Sequence, residues 1–167
     1  ITTASDALWC TIVTISTVGY GDQYPVTNAQ FYVFLQAACY VPNDNTNFVK
    51  HWDGLRPKAG EEDFPVVYVS LEDARAYAEW KGMRLPTELE WQYAAQAGNA
   101  ENLWPWGTEM DSTLTNPGDG KYYLIGQYPQ GKNAHGIEDL VGNVWQLTND
   151  VYFNGTNEFV IIKGGSY

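Results

Sequence analysis

Residues 99–167 show no helical period and are rich in glycine, asparagine, proline and aromatic side chains. This pattern is typical of ordered loops with short strands between them. The whole chain carries seven tryptophans and twelve tyrosines, whose rings bury large areas and whose NH and OH groups need polar partners. We therefore expect a compact α+β domain with little regular secondary structure and many side-chain hydrogen bonds.

The first predicted helix starts at Asn28, which we expect to be its N-cap. Its apolar face follows the i, i+3, i+4 spacing and comprises Phe31, Phe34 and Leu35. The third predicted helix, Glu88–Gln96, begins at a capping box in which Thr87 and Glu90 satisfy each other's backbone NH groups. Gly98 ends this helix, and the side chains that we expect to point inward are Trp91, Ala94 and Ala95.

The second predicted helix, Leu71–Lys81, lies between a Ser70 cap and Gly82. We expect it to have an apolar side formed by Ala74, Ala78 and Trp80, and a solvent side formed by Glu72, Asp73 and Arg75. Four short strands are also predicted: Phe64–Val69, Tyr122–Ile125, Val144–Thr148 and Phe159–Lys163.

Charge and composition exclude several classes of partner. The net charge of −11 argues against nucleic acid and anionic membrane surfaces, and it is otherwise typical of a soluble protein surface. No apolar run reaches the length of about 20 residues that a membrane helix needs, and the best candidates are Ala7–Val18 and Phe31–Val41. Two cysteines, Cys10 and Cys39, are too few for a disulfide scaffold. As given, the chain is expected not to span a membrane.

The first 27 residues contain the string Thr14-Ile15-Ser16-Thr17-Val18-Gly19-Tyr20-Gly21-Asp22, preceded by Leu8-Trp9. This string resembles the pore signature of potassium channels. The resemblance implies a short pore helix at about Ser5–Ile15, followed by a filter in which backbone carbonyls replace the hydration shell of potassium. The implied filter residues are Thr17, Val18, Gly19, Tyr20 and Gly21. A filter conducts only when membrane helices hold four copies together, so we expect this segment alone not to form a channel.

The longer part of the chain carries several motifs in a fixed order. They are Pro65–Trp80, Arg84-Leu85-Pro86-Thr87-Glu88 with Glu90-Trp91, Trp104-Pro105-Trp106-Gly107, Val141-Gly142-Asn143-Val144-Trp145, and Gly164-Gly165-Ser166-Tyr167. In order and spacing they resemble the formylglycine-generating enzymes, also called sulfatase-modifying factors, over about residues 25–167. The resemblance implies a C-type-lectin-like fold, truncated at its C-terminus. We thus expect two segments, a channel-like one at 1–27 and an enzyme-like one at 28–167.

Enzymes of that family oxidise a sulfatase cysteine to formylglycine with copper held by two late cysteines. That pair would lie beyond Gly164–Tyr167, and neither Cys10 nor Cys39 takes its place. Copper(I) prefers paired thiolates, so copper is not expected here and no catalytic residue is assigned. With only His51 and His135, the three-histidine iron site of the related sulfoxide synthases is not expected either.

Calcium is the cofactor that the resemblance does imply. The family's site carries over to Asp139, Gly142, Val144 and Gln146. The loop with Asn116 and Asp119 is a second, separate calcium candidate. Hard cations prefer such carboxylate and carbonyl oxygens. Gln146 stands where the enzymes usually carry Glu, which removes one negative charge. The alternative interpretation is a hydrogen-bonded turn in the core.

Three tryptophans, Trp52, Trp104 and Trp106, could form an aromatic surface for a protein or carbohydrate ligand, or could simply pack loops. The leading hypothesis is a catalytically incomplete domain that binds or scaffolds a partner outside the cytoplasm and is stabilised by calcium. One alternative is a fragment of an active formylglycine-generating oxidase. Another is a homotetrameric potassium channel with a soluble C-terminal domain.

Overall fold

The computed structural model describes residues 24–166. Within them the α-helices are α1 (Asn28–Ala38), α2 (Leu71–Trp80) and α3 (Glu88–Ala95), and one 3-10 turn spans Ser112–Leu114. The strands β1 (Gln146–Phe153) and β2 (Glu158–Lys163) form a two-stranded sheet. The predicted α+β architecture with little regular structure is confirmed. Among the described residues, no helix combines the length and the apolar character needed to cross a membrane.

Each helix begins at a capping box, in which the cap hydroxyl accepts from a backbone NH and the side chain three residues on accepts in return. The caps are Thr27, Ser70 and Thr87. The prediction that Asn28 caps α1 was wrong, because Thr27 Oγ1 accepts from the Gln30 backbone NH and leaves Asn28 inside the helix. The Asn28 side chain therefore does not cap the helix and makes hydrogen bonds elsewhere in the core.

Asn28 is fully buried and joins three segments of the chain. Its Nδ2 donates to the Glu61 carbonyl (2.8 Å), so its Oδ1 is the atom that accepts from Trp52 Nε1 (2.9 Å) and meets His51 Nε2 (3.1 Å). Because this oxygen can only accept, His51 must carry its proton on Nε2. Burial and then the charge of Lys58 lower the pKa of His51 to about 4, so the imidazole is neutral at pH 7.

Aromatic rings fill the core around α1. Phe31 lies with its ring centroid 5.3 Å from Phe34 and 5.7 Å from Tyr77 of α2. Trp52, a predicted member of a ligand surface, packs here at 6.4 Å from Phe31 and is only 5% exposed. Its assignment to an exposed surface was wrong, because its ring fills the core and its NH serves Asn28.

Two residues of α2 differ from the prediction: Asp73 on the predicted solvent side is buried, and Trp80 on the predicted apolar side is partly exposed. Asp73 is buried, since one carboxylate oxygen accepts from the Ser70 backbone NH and the other from the Tyr40 hydroxyl (2.8 Å). Trp80 is 38% exposed, because it is the last residue of α2 and its ring lies between Phe34 and the Lys81 ammonium. Ala74 and Ala78 point inward as predicted.

Two predicted strands are absent from the described structure. Phe64–Val69 makes only one isolated bridge, between Pro65 and Thr27, because the backbone of Tyr68 turns into the left-handed region (φ +57°). Tyr122–Ile125 is irregular and is fixed by the side chain of Asn143, which accepts from the Tyr123 NH and donates to the Tyr123 carbonyl. In both places side-chain bonds or a few separate backbone bonds replace a regular strand.

The C-terminal hairpin confirms one predicted strand and shifts the other. β2 matches the predicted Phe159–Lys163, whereas Gln146–Phe153 begins and ends later than the predicted Val144–Thr148. The strands are antiparallel, with Gln146 opposite Lys163 and an irregularity after Leu147. Leu147 and Val160 pack on the buried cluster of α2.

Replacing Asn28 with Ala should lower the free energy of unfolding by about 2–4 kcal/mol, since the buried groups that it serves lose their partner. Urea unfolding followed by circular dichroism measures this. The exposed Asn45 provides the control, and Asn45→Ala should leave stability within about 0.5 kcal/mol of the parent. Equal effects of the two substitutions would contradict this role of Asn28.

His51 should make the domain less stable in acid. Between pH 6.5 and about 4 the unfolded chain binds a proton that the folded chain does not, so the free energy of unfolding falls as pH falls through this window. Urea unfolding at several pH values should show a shallower acid loss for His51→Gln than for the parent. Parallel curves for the two proteins would show that His51 is not the group responsible.

Candidate functional site

The Val141-Gly142-Asn143-Val144-Trp145 segment forms a tight turn just before β1. Asp139, Gly142 and Asn143 all have positive φ (+54°, +76° and +61°). At Gly142 a Cβ would lie 2.7 Å from Thr115 Oγ1, so this position requires glycine for space as well as for conformation. The turn is pinned to the 115–116 loop on one side and to Gly164, whose carbonyl accepts from the Gly142 NH (2.8 Å).

The residues predicted for calcium come together at this turn. Gly142 faces Asn116, whose Cβ would be 3.2 Å from a Cβ on the glycine, and Gln146 Nε2 donates to the Asp139 carbonyl (2.5 Å). Val144 is buried in the same turn. The proximity of these residues is a finding, whereas a calcium ion among them stays a prediction.

The side chains of Asn116 and Asp119 are engaged in hydrogen bonds within the protein. Asn116 Oδ1 accepts from the Gly118 NH, and its Nδ2 donates to the Lys121 carbonyl (both 2.8 Å). Asp119 accepts from the Lys121 NH and from the Tyr123 hydroxyl. Within residues 24–166, no group of three or more His, Cys, Asp or Glu side chains is arranged to hold a metal ion. At Gln146 the residues present do not fit calcium, since an NH group faces the carbonyl.

Two adjacent buried carboxylates lie beside the turn. Asp139 Oδ2 accepts from the Gly126 NH (3.0 Å), and burial, then the neighbouring Glu138, raise the pKa of Asp139 to about 6. Glu138 is 6% exposed; its Oε1 accepts from the Tyr24 hydroxyl (3.4 Å), and its Oε2 is buried with no hydrogen-bond partner in the described structure. A buried carboxylate oxygen without a hydrogen-bond partner costs free energy, so Glu138 is a locally unfavourable feature of this turn.

Cys39 is the cysteine that falls within the described residues. It is exposed at the end of α1, and its Sγ lies 3.9 Å from the Gln36 carbonyl. The part of the chain that the structure describes therefore offers one thiol, which does not fit a copper(I) site of paired thiolates. Cys10 and the implied filter residues Thr17–Gly21 lie outside the described residues.

Trp104 and Trp106 form a stacked pair in the Trp-Pro-Trp-Gly turn. Their ring centroids are 5.8 Å apart, their planes differ by 9°, and both rings are partly exposed. A bridge between Trp104 and Gly107 closes the turn, and Trp106 Nε1 donates to the Glu109 carbonyl (2.9 Å). The two indoles are thus held in a fixed orientation by the backbone.

An open cleft of about 600 Å³ lies beside Trp106. Its polar wall is formed by Thr108, Glu109, Asp111 and Ser112, and its apolar wall by Trp106 itself, Met110 and Leu114. The cleft therefore places one aromatic face next to hydroxyl and carboxylate groups.

Trp145 is an exposed aromatic residue that the sequence analysis did not select as a ligand contact. It is 54% exposed and directly precedes Gln146. The sequence shows that Trp145 ends the Val-Gly-Asn-Val-Trp motif, but it does not show whether the side chain is exposed. In the fold, Val144 and Gln146 point inward and Trp145 points outward.

Comparison with known proteins identifies the family of this chain. The family model for the sulfatase-modifying factor enzyme 1-like domain matches residues 20–167. The chain belongs to this family. The family match starts at residue 20, inside the segment that resembles a channel. The described end of that segment packs against the rest of the domain, since Val26 is buried and Thr27 pairs with Pro65. The predicted boundary at residue 27 stays a prediction.

The relatives of this chain carry names that describe different activities. The chain is 37% identical over 126 residues to the Inactive C-alpha-formylglycine-generating enzyme 2 of Bos taurus, covering 68% of this chain and 41% of that protein. It is 34% identical over 149 residues to the Formylglycine-generating enzyme of Streptomyces coelicolor (70% and 48%). It is also 34% identical over 146 residues to the Hercynine oxygenase of Mycolicibacterium smegmatis (69% and 34%). The chain thus spans less than half the length of each.

Replacing Glu138 with Gln should raise the free energy of unfolding by about 1–2 kcal/mol at pH 7.5. The substitution removes a buried charge and keeps an oxygen that accepts from the Tyr24 hydroxyl. It should also lower the pKa of Asp139 below about 6, because the neighbouring negative charge is gone. Urea unfolding and NMR titration of the Asp139 carboxyl carbon measure the two effects. Glu109→Gln, at an exposed site, serves as the control, and a destabilised Glu138→Gln protein would contradict the prediction.

Proposed function

We propose that this chain is a catalytically incomplete member of the sulfatase-modifying factor family that acts as a binding module. The observation that carries the proposal is the stacked, partly exposed pair Trp104 and Trp106 beside a polar cleft. We further propose that the loops which hold this pair follow the C-type-lectin-like arrangement implied by the sequence motifs.

A neutral saccharide suits this surface. The apolar face of a sugar ring can lie on an indole, while its hydroxyl groups donate to acceptors such as Glu109 and Asp111. These carboxylates and the net charge of −11 disfavour an anionic ligand. Because the stack is held by the Trp104–Gly107 bridge, little conformational entropy is lost when a ligand binds.

Three observations support the absence of oxidase chemistry in this chain as given. The sequence has two cysteines, one of which is an exposed thiol at Cys39. The described residues do not fit a copper(I) site, as argued above. Relatives named as inactive formylglycine-generating enzymes are 37% and 35% identical to it.

The second candidate function is that of an active formylglycine-generating oxidase of which this chain is one part. It is favoured by 34% identity to the enzyme of Streptomyces coelicolor and by the coverage of only 48% of that protein. A coding sequence that continues past residue 167 with a cysteine pair would select this function. A location outside the cytoplasm stays a prediction. The potassium channel stays an untested alternative, because residues 17–21 lie outside the described residues.

The binding proposal predicts that neutral oligosaccharides quench the tryptophan fluorescence of the chain and bind saturably in calorimetry. Trp106→Ala and Trp104→Ala should each weaken binding at least tenfold, or by about 1.4 kcal/mol. Trp145→Ala is the matched control, since it removes an exposed indole outside the stack, and its affinity should stay within about twofold.

Two outcomes would count against the proposal. Absence of binding across a panel of neutral glycans would remove the saccharide as ligand. Equal losses in Trp106→Ala and Trp145→Ala would show that the stack is not the site.

A further inference from the structure

The side chain of Gln146 is enclosed at the base of the Val141–Trp145 turn. It is 3% exposed, and its Oε1 accepts from Trp91 Nε1 (2.8 Å) while its Nε2 donates to the Asp139 carbonyl (2.5 Å). Gly164 closes the third side, since a Cβ there would lie 3.5 Å from Gln146 Nε2 and 3.1 Å from the Leu140 carbonyl. The amide therefore bridges α3 to the start of the turn.

The orientation of this amide follows from its neighbours. The Trp91 indole can only donate, so it must face the oxygen of the amide. The Asp139 carbonyl can only accept, so it must face the nitrogen. Flipping the amide would place NH against NH and oxygen against oxygen, and both hydrogen bonds would be lost.

We infer that the Gln146 amide takes the place of a metal ion at this turn. A cation at this point would sit between the Asp139 carbonyl and an oxygen of residue 146, both of which must be acceptors. Here the second group is an NH2, which already satisfies the carbonyl and would oppose a cation. The turn and the exposed Trp145 next to Gln146 are then positioned without calcium.

A glutamate at position 146 should restore the need for an ion. One of its oxygens can still accept from Trp91, but the other faces the Asp139 carbonyl, and two acceptors in contact repel each other. A divalent cation between them would relieve this repulsion. The inference does not depend on the saccharide proposal, because its measurement is stability and calcium binding rather than ligand affinity.

The experiment compares melting temperatures of the full chain in EDTA and in 5 mM calcium, a concentration of roughly millimolar scale that saturates extracellular-type sites. The parent protein should melt within about 1 °C in the two buffers. Gln146→Glu should melt roughly 5–10 °C lower than the parent in EDTA, and calcium should restore at least about half of that loss. Trp91→Phe, which removes the indole NH from the bridge together with part of the buried ring, should melt lower in both buffers alike.

Calorimetric titration of the parent protein decides the matter if Gln146→Glu does not fold in either buffer. The inference is overturned if the parent binds calcium with a dissociation constant below about 0.1 mM and Asp119→Ala keeps that affinity, because the ion then lies away from the 116–119 loop. It is also overturned if folded Gln146→Glu shows no response to calcium. No binding by the parent, or binding that Asp119→Ala abolishes, supports it.

Discussion

Buried side-chain amides supply the hydrogen bonds that hold this domain together where it lacks regular structure. Loops that enter a core bring backbone NH and CO groups that water cannot reach, and these groups need partners. Asn28 joins α1 to two loops, Asn133 joins the 133–137 loop to the end of α3, and Asn143 joins its turn to Tyr123. Gln146 completes the set beneath the same turn. An amide suits this task because it donates and accepts at once.

Helix positions were predictable from local sequence, because capping boxes and glycine stops act within one turn of the chain. Ser70 and Thr87 were found in this way, and Thr27 was missed only because Asn28 is as good a cap by type. The burial of Asp73 and of Trp52 was not predictable, since each depends on a partner far along the chain, Tyr40 and Asn28 respectively. The false strands at Phe64–Val69 and Tyr122–Ile125 have the same cause, because their hydrogen-bond partners lie far along the chain.

At the Val141–Trp145 turn, the sequence predicted which residues come together but not which hydrogen bonds they make. The motif order placed Asp139, Gly142 and Gln146 in one turn, and the fold brings them together. Only the three-dimensional arrangement shows that the Gln146 NH2 meets the Asp139 carbonyl and that Glu138 adds a second buried carboxylate. The exposed Trp145 lies directly before Gln146, on the turn that these buried groups support. The stacked indoles of Trp104 and Trp106 lie on a separate turn, which is closed by its own bridge between Trp104 and Gly107.

Hydrogen exchange of side-chain amide protons in the ¹⁵N-labelled chain tests the central role of these amides most directly. The NH2 protons of Asn28, Asn133, Asn143 and Gln146 should exchange slower than those of the exposed Asn45 by on the order of a hundredfold or more, because they open only when the core opens. Exchange of the buried amides at the rate of Asn45 would contradict the account, since it would mean that the loops are held by something else.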